Sequence, residues 1–312
     1  MIEIRLYDTG MQDLWNETVA VTRNATFMHN RQYMDYHSDR FADFSLMAFA
    51  GGKPIALLPA NRVDNTLWSH QGLTYGGWLM TNNCDAVSIM NVMAAATRFL
   101  KDRGIDEIVY KAVPHIYHRY PAEEDLYAIF CHGAQLTESS LSASIDLANA
   151  IGLDRGNRSS VNQAHRNGIE INVSNDIDGY WKVLSEVLQE RHDTLPVHTA
   201  EEMKLLMSRF PENIKLFTAT VDNEILAGTV MYLAGPTAHS QYIASSSKGR
   251  ELKALPLLFD TLIKTFAERG FRYFDFGISC ENHGKILNEG LVTQKNRLGG
   301  RGIVYNTYRI KL

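Results

Sequence analysis

The sequence predicts an α/β (α+β) protein made of two similar halves, each a mixed central sheet flanked by helices. Three observations carry this. A length of 312 residues suits two domains of ordinary size. Strand-like and helix-like periodicities alternate along both halves. The order hairpin, strand, helix, Arg-Gly, strand occurs twice at nearly one offset: Gly51 and Asp222 lie 171 residues apart, and Arg103-Gly104 and Arg269-Gly270 lie 166 apart. Equivalent elements at one spacing point to an internal duplication. The cut between the halves is expected near residues 150–158, giving domains 1–155 and 156–312.

In the first half, Phe44–Val63 holds two β-rich runs around Gly51-Gly52, a hairpin signal. The aromatic and glycine-rich run NTLWSHQGLTYGGWLM reads as a strand followed by an irregular strand or loop. CDAVSIMNVMAAATRFLKDRG has helical spacing, with Val87, Met90, Met93, Ala94, Phe99 and Leu100 as the apolar stripe. Asn83 or Asp85 is the expected cap, and Gly104 the stop. IDEIVYKAV follows as a strand.

Between the halves, SASIDLANA reads as a strand. A polar helix follows, carrying Arg155, Arg158, His165 and Arg166 and closed by Gly168. The next helix is amphipathic and expected to bury Tyr180, Val183, Leu184, Val187 and Leu188. A third begins with Thr199 and Glu202 in capping-box spacing. The second half then repeats the plan: a hairpin turning at Asp222-Asn223, the strand TAHSQYIASS, a polar glycine-containing loop over Ser245–Arg250, and a helix whose Pro256 must lie in the first turn. The strand FRYFDFGIS ends the repeat.

The composition, 45% hydrophobic and 21% charged, is that of a soluble globular chain. A formal net charge of -4 argues against non-specific coating of nucleic acid, so no DNA partner is expected. Cys84, Cys131 and Cys280 are odd in number, far apart and outside any metal-ligand spacing, so neither disulfides nor a metal site is expected. Apolar runs break well before the roughly 18 residues that a membrane span needs. The charged N-terminus has no signal-peptide core. A cytoplasmic protein is expected.

A hairpin, strand, loop, helix and further strand, occurring twice in one chain, joined by RGNRSSVNQAHRNGIEI (155–171) and ending in FDFGISCENHGKILNEGLVTQKNRLGG (Phe274–Gly300), resembles the Fem-like (FemABX) branch of the GNAT superfamily. The resemblance implies tandem GNAT domains and transfer of an acyl group to an amine. It implies either an acyl-CoA cosubstrate, acetyl-CoA in the first instance, or aminoacyl-tRNA. Two departures favour the smaller donor. No segment is long enough for the helical arm typical of tRNA-using members, and the usual Phe-Lys and following Phe are Gln294-Lys295 and Leu298 here. The acceptor implied is a small-molecule amine such as a nucleotide- or lipid-linked amino sugar of a surface polysaccharide. A non-catalytic binding module that kept the fold is the reading from another class.

Acyl transfer needs a held donor, hydrogen-bond donors for the carbonyl oxygen, and routes for two protons. The resemblance assigns donor phosphates to Ser245, Ser247, Lys248, Gly249 and Arg250, beside a helix N-terminus; a solvated polar turn looks the same. His239 and Gln241 share a strand face by period 2, as do Ser240 and Tyr242. His239 is the better base; a structural histidine is the alternative. Glu281 is a second candidate for proton relay, with Ser279, Asn282 and His283 in the same loop. Lys295 fits an oxyanion or a phosphate. For the acceptor, His29, Tyr36, His37 and Arg40 gather in a short helix-like stretch. Tyr75 and Gly76 sit among glycines that imply close backbone approach to a ligand or a neighbouring element. His198, Gln241, Tyr242, Ser279 and Asn282 complete the acceptor set.

Overall fold

Both expected hairpin turns form, each for its own reason. Gly51 (φ 56°) and Gly52 (φ 78°) turn the first. Asp222 (φ 48°) and Asn223 (φ 65°) turn the second, and these are the side chains best tolerated in left-handed backbone after glycine. The computed structural model describes residues 1–312, the side chains of residues 191 and 192 excepted. The chain divides into two compact units: Met1–Ser140 with Asn282–Ile286 and Val304–Leu312, and Leu141–Glu281 with Leu287–Ile303.

Unit 1 opens with β1 (Ile2–Leu6), α1 (Gln12–Val21) and the single turn α2 (Arg31–Met34), which 3-10 turns flank. It continues through β2 (Leu46–Ala50), β3 (Lys53–Leu58), β4 (Asn61–Val63), β5 (Thr66–Trp68) and β6 (Leu79–Met80). After α3 (Ala86–Lys101), β7 (Glu107–Lys111) and α4 (Glu124–Cys131), it is completed by the last strand of the chain, Arg301–Lys311. One antiparallel sheet has the order β1-β2-β3-β6. In the other, β5 pairs with β7 in parallel, and the last strand pairs with β7 in antiparallel fashion from Thr307↔Lys111 to Lys311↔Glu107. Asp85 caps α3 by accepting from Ser88 N at 2.8 Å, and Gly104 (φ 73°) follows its end. The buried stripe of α3 is Ile89, Val92, Met93, Ala96 and Leu100, with Val87 exposed. Of the expected stripe, Met93 and Leu100 are buried and Met90 and Phe99 pack against the core, and Val87 alone faces out. Leu46, Leu58, Trp78, Ile89 and Ile108 lie in the core of this unit.

In unit 2, β8 (Gln135–Asp146) enters from unit 1 and leads to α5 (Arg155–Arg166), β9 (Glu170–Ser174), α6 (Ile177–His192) and α7 (Ala200–Arg209). Thr199 and Glu202 form the capping box expected at α7. The meander β10 (Ile214–Val221), β11 (Glu224–Ala234) and β12 (Thr237–Ser245) is antiparallel. The connector expected to be a loop is the short helix α8 (Ser247–Glu251), because Ser246 Oγ accepts from Gly249 N at 3.0 Å and starts a turn. Then come α9 (Ala254–Glu268), with Pro256 in its first turn, β13 (Tyr273–Ile278), β14 (Cys280–Glu281), β15 (Ile286–Leu287) and α10 (Glu289–Arg297). Leu257, Leu258, Phe259, Leu262 and Phe266 press α9 onto the sheet, against Phe217, Phe274 and Phe276. Tyr180, Trp181 and Leu184 of α6 are buried, while Val183, Val187 and Leu188 are half-buried.

Candidate active site

The parallel strands β12 and β13 pair over only three positions, Thr237↔Tyr273, Ala238↔Phe274 and His239↔Asp275. Both strands continue, β12 along β11 and β13 past a register shift against β8, but no longer with each other. Beside the unpaired lengths lies a cavity of about 310 Å³. Ile243, Ala244 and Ser245 line it from β12, Phe276 from β13, and Leu255, Pro256 and Phe259 from α9. Leu291, Gln294 and Lys295 of α10 close another wall, and Val187 and Leu188 of α6 a third. This explains why those last two side chains are only half-buried.

The connector brings charge and backbone donors to this cavity. Gly249 is required, since a Cβ there would sit 2.1 Å from Leu226 O. Ser245 is buried with its Oγ 3.5 Å from Leu226 O. Arg250 lines the cavity and donates to Ser245 O at 2.8 Å and to Ser247 Oγ at 2.6 Å. Lys253, also lining, takes left-handed backbone (φ 64°) at the N-cap of α9 and makes no side-chain cap. The positive end of a fifteen-residue helix is therefore left without a side-chain cap. Lys248 is exposed and paired with Glu224.

Lys295 is 4% exposed and donates from Nζ to Gly277 O and Ile278 O, both at 2.8 Å. Burial pulls its ammonium pKa down to about 8, although nearby Asp275 and Cys280 oppose the shift. Two of its three N–H groups are used by these carbonyls. At the last paired position His239 Nδ1 lies 2.7 Å from Asp275 Oδ2 and Nε2 lies 3.2 Å from Gln241 Oε1. Ser142 Oγ donates to Asp275 Oδ1 at 2.7 Å. Strict alternation of side chains along β12 does not hold. Val230 pairs with Tyr242 and Met231 with Ser240, which leaves Gln241 as a bulge.

The remaining candidates separate. His198 Nδ1 meets the Tyr242 hydroxyl on β12, and Trp181 Nε1 of α6 donates to His198 O at 3.1 Å; Trp181 and His198 are buried and Tyr242 half-buried. Burial pushes the Tyr242 pKa up to about 12. Ser279 Oγ is buried with no partner among the described residues. Glu281 is exposed and accepts from Asn288 Nδ2 at 3.1 Å. Asn282 (φ 48°) and His283 (φ 55°) form a left-handed turn in unit 1, with His283 paired to Glu138 at 3.1 Å.

In unit 1, His29 is fully buried, and burial lowers its pKa to about 4; its Nδ1 accepts from Thr26 N at 3.0 Å. His37 stacks between Tyr36 (4.3 Å) and His70 (5.6 Å), and burial lowers its pKa. Arg40 lies 5.7 Å from the Tyr36 ring. Tyr75 is buried with its ring 4.5 Å from Tyr117. The close approach implied around Gly76 is to the chain itself, since a Cβ there would lie 2.1 Å from Ser69 O.

Asp275 and Ser142 escaped the sequence reading because they lie 36 and 97 residues from His239 in the chain. Asp275 stands in the quoted Phe-Asp-Phe-Gly strand, so a carboxylate between two core phenylalanines was a usable signal. Among the described residues no group of side chains could hold a metal ion, and no helix is long and apolar enough to cross a membrane.

Residues 155–284 match the family described as the acetyltransferase (GNAT) domain. No curated protein matches the chain. Among solved structures, FemX shares 12% identity over 99% of this chain and 97% of its own, with a TM-score of 0.71. L-PGS from Bacillus licheniformis shares 13% over 97% and 91%, with a TM-score of 0.61. A conserved protein of unknown function from Bacteroides thetaiotaomicron VPI-5482 shares 13% over the full length of both, with a TM-score of 0.59.

Proposed function

We propose that this chain is a GNAT-type N-acyltransferase that moves an acyl group from acyl-CoA to a primary amine, a reading supported by the match of residues 155–284 to the acetyltransferase (GNAT) domain and by the FemX-like fold. Acetyl is the first acyl group to test, and an amino sugar of a surface-polysaccharide precursor the first acceptor. The observation that carries the reading is the cavity beside the diverging strands, apolar along its walls and reaching an uncapped helix N-terminus with Arg250 and Lys253. A flexible, largely apolar pantetheine arm suits those walls. Its pyrophosphate suits the N–H groups and cations at the helix start.

In this reading the remaining Lys295 N–H polarises the thioester carbonyl and stabilises the oxyanion as it forms. His239 receives the proton that the amine loses on attack. The acyl carbon–sulfur bond then breaks, and the sulfur leaves as a thiolate that regains this proton. Cytoplasmic residence follows from the need for acyl-CoA.

Thermal unfolding with and without millimolar acetyl-CoA tests the donor. Ligand at about 100 times its dissociation constant adds about 2.7 kcal/mol, which reads as a clear rise in midpoint. No shift across several acyl-CoAs overturns the acyl-CoA reading. Aminoacyl-tRNA then becomes the donor to test, the alternative that the Fem-like resemblance implies, with RNase sensitivity as its signature.

A further inference from the structure

We infer that Asp275 and Ser142 are positioning residues that hold His239 as its Nδ1–H tautomer, and that the Gln241 amide stands where the acceptor's amino group binds. The inference deepens the proposed function and rests on it for the identity of the acceptor, but not for the tautomer.

The argument starts from Asp275. Its side chain is wholly buried, and a buried carboxylate must be met by hydrogen-bond donors. Ser142 Oγ supplies one, at 2.7 Å from Oδ1. The His239 ring supplies another, since its Nδ1 is 2.7 Å from Oδ2. An ionised carboxylate only accepts, so Nδ1 carries the hydrogen, and in that tautomer Nε2 is the nitrogen that accepts. The parallel register fixes this geometry, because His239 and Asp275 form the last pair before the strands diverge.

Gln241 faces Nε2 at 3.2 Å. The Nδ1–H tautomer pairs with the amide turned by half a turn, its NH2 group toward Nε2 and its oxygen toward the Tyr242 hydroxyl, which the amide also meets. Because Gln241 is the bulge residue, no residue of β11 stands opposite it in the ladder. Its amide occupies the position and hydrogen-bonding role that an incoming R–NH2 needs. When the amine replaces it, the amine nitrogen bonds to the acyl carbon and gives one proton to Nε2. The resulting imidazolium remains paired with Asp275, and the proton passes to the departing thiolate. The acceptor class this selects is an uncharged primary amine, with a hydrogen to give Nε2 and a lone pair for the carbonyl.

The test is 15N NMR of histidine-labelled full-length protein at pH 8.5, with His239 assigned by comparison with His239→Gln. The expected wild-type signals are those of an Nδ1–H ring. In Asp275→Asn the amide can donate to Nδ1, so the Nε2–H form should appear. Turnover of acetyl-CoA with hydroxylamine as a minimal acceptor should fall at least ~100-fold, with little change in KM for acetyl-CoA. Ser142→Ala should keep the tautomer and lose severalfold in kcat. Gln241→Ala removes the group that holds the amine's position and should lower KM for hydroxylamine severalfold. An Nε2–H ring in the wild type overturns the inference even if Asp275→Asn fails to fold. A raised KM for hydroxylamine in Gln241→Ala overturns the placeholder role. Absence of any acetyl-CoA turnover, with the expected tautomer present, counts against the donor reading alone.

Discussion

The two units contain the same short pairing of parallel strands and use it in opposite ways. In unit 1 the pairs are Thr66↔Glu107 through Trp68↔Val109; in unit 2 they are Thr237↔Tyr273 through His239↔Asp275. The offsets, 171 and 166 residues, are the two read from the sequence. Beyond Trp68 the space beside β7 is filled by the chain's own next ten residues. Ser69 N bonds Val109 O, Lys111 N bonds Ser69 Oγ, Gly76 N bonds Lys111 O, and Trp78 N bonds the Tyr110 hydroxyl. Beyond His239 the equivalent space is the cavity. The following helices differ in the same sense: α3 is capped by the Asp85 carboxylate, whereas α9 starts at Lys253 with no cap. A duplicated framework becomes a site where the second strand is followed by a gap and an open helix end. It becomes a scaffold where backbone and a carboxylate fill both.

This contrast can be broken at its filled end first. Gly76→Ala drives a methyl group into Ser69 O and should cost about 3 kcal/mol or more, read as a lower urea midpoint. An unchanged midpoint would mean that the filling segment yields and is no fixed plug. The next largest effect concerns Asp125, buried in unit 1 under the Tyr110 hydroxyl. Burial raises its carboxyl pKa to about 7. The native state therefore holds a proton that the unfolded chain has released between about pH 4 and 7. The group contributes most below the unfolded value, and the contribution is lost as pH rises to about 7. Asp125→Asn should then raise stability at pH 8 by on the order of 2 kcal/mol and leave it nearly unchanged at pH 4. Equal shifts at both pH values would contradict a neutral native acid.

The open end gives smaller, sharper effects. Lys253→Asp transplants the carboxylate of the first unit onto α9. It should weaken acetyl-CoA binding about tenfold by calorimetry, or about 1.4 kcal/mol. Unchanged affinity would show that the helix end takes no part in holding the donor. Asp85→Ala should cost unit 1 about 1 kcal/mol of stability and leave turnover untouched; a loss of turnover would mean that the capped helix also serves the reaction.

What the sequence made legible was local. Gly51-Gly52, Asp222-Asn223, Asp85, Gly104 and the Thr199–Glu202 box each act within a few residues, and each forms as read. The short helix α8 was missed because its signal is one serine, Ser246, whose capping role depends on where β12 ends. The stripe of α3 was legible from Met90 to Leu100, and only Val87, in the first turn, falls off the core face. The candidate site was harder still. Period 2 brought His239 and Gln241 to one face, but their meeting depends on a bulge that no residue type announces. Asp275, Ser142 and the wall built by α10 reach the site through pairings of sequence-distant strands. The glycines around Tyr75 did signal close approach, yet nothing in their spacing tells a ligand from the carbonyl of Ser69.

The last strand carries a consequence for synthesis. Most of unit 1 lies in the first 140 residues, yet its strand β7 pairs with Thr307–Lys311, and Ile310 lies in its core. On a ribosome adding about 5–20 residues per second, this unit emerges first and then waits on the order of ten to thirty seconds for its closing strand. During that interval the edge of β7 that will meet Thr307–Lys311 lacks its native partner. A chain terminated near residue 300 would keep that edge unpaired for good. A part made early is finished late, and the quality of its folding is set by residues 304–312.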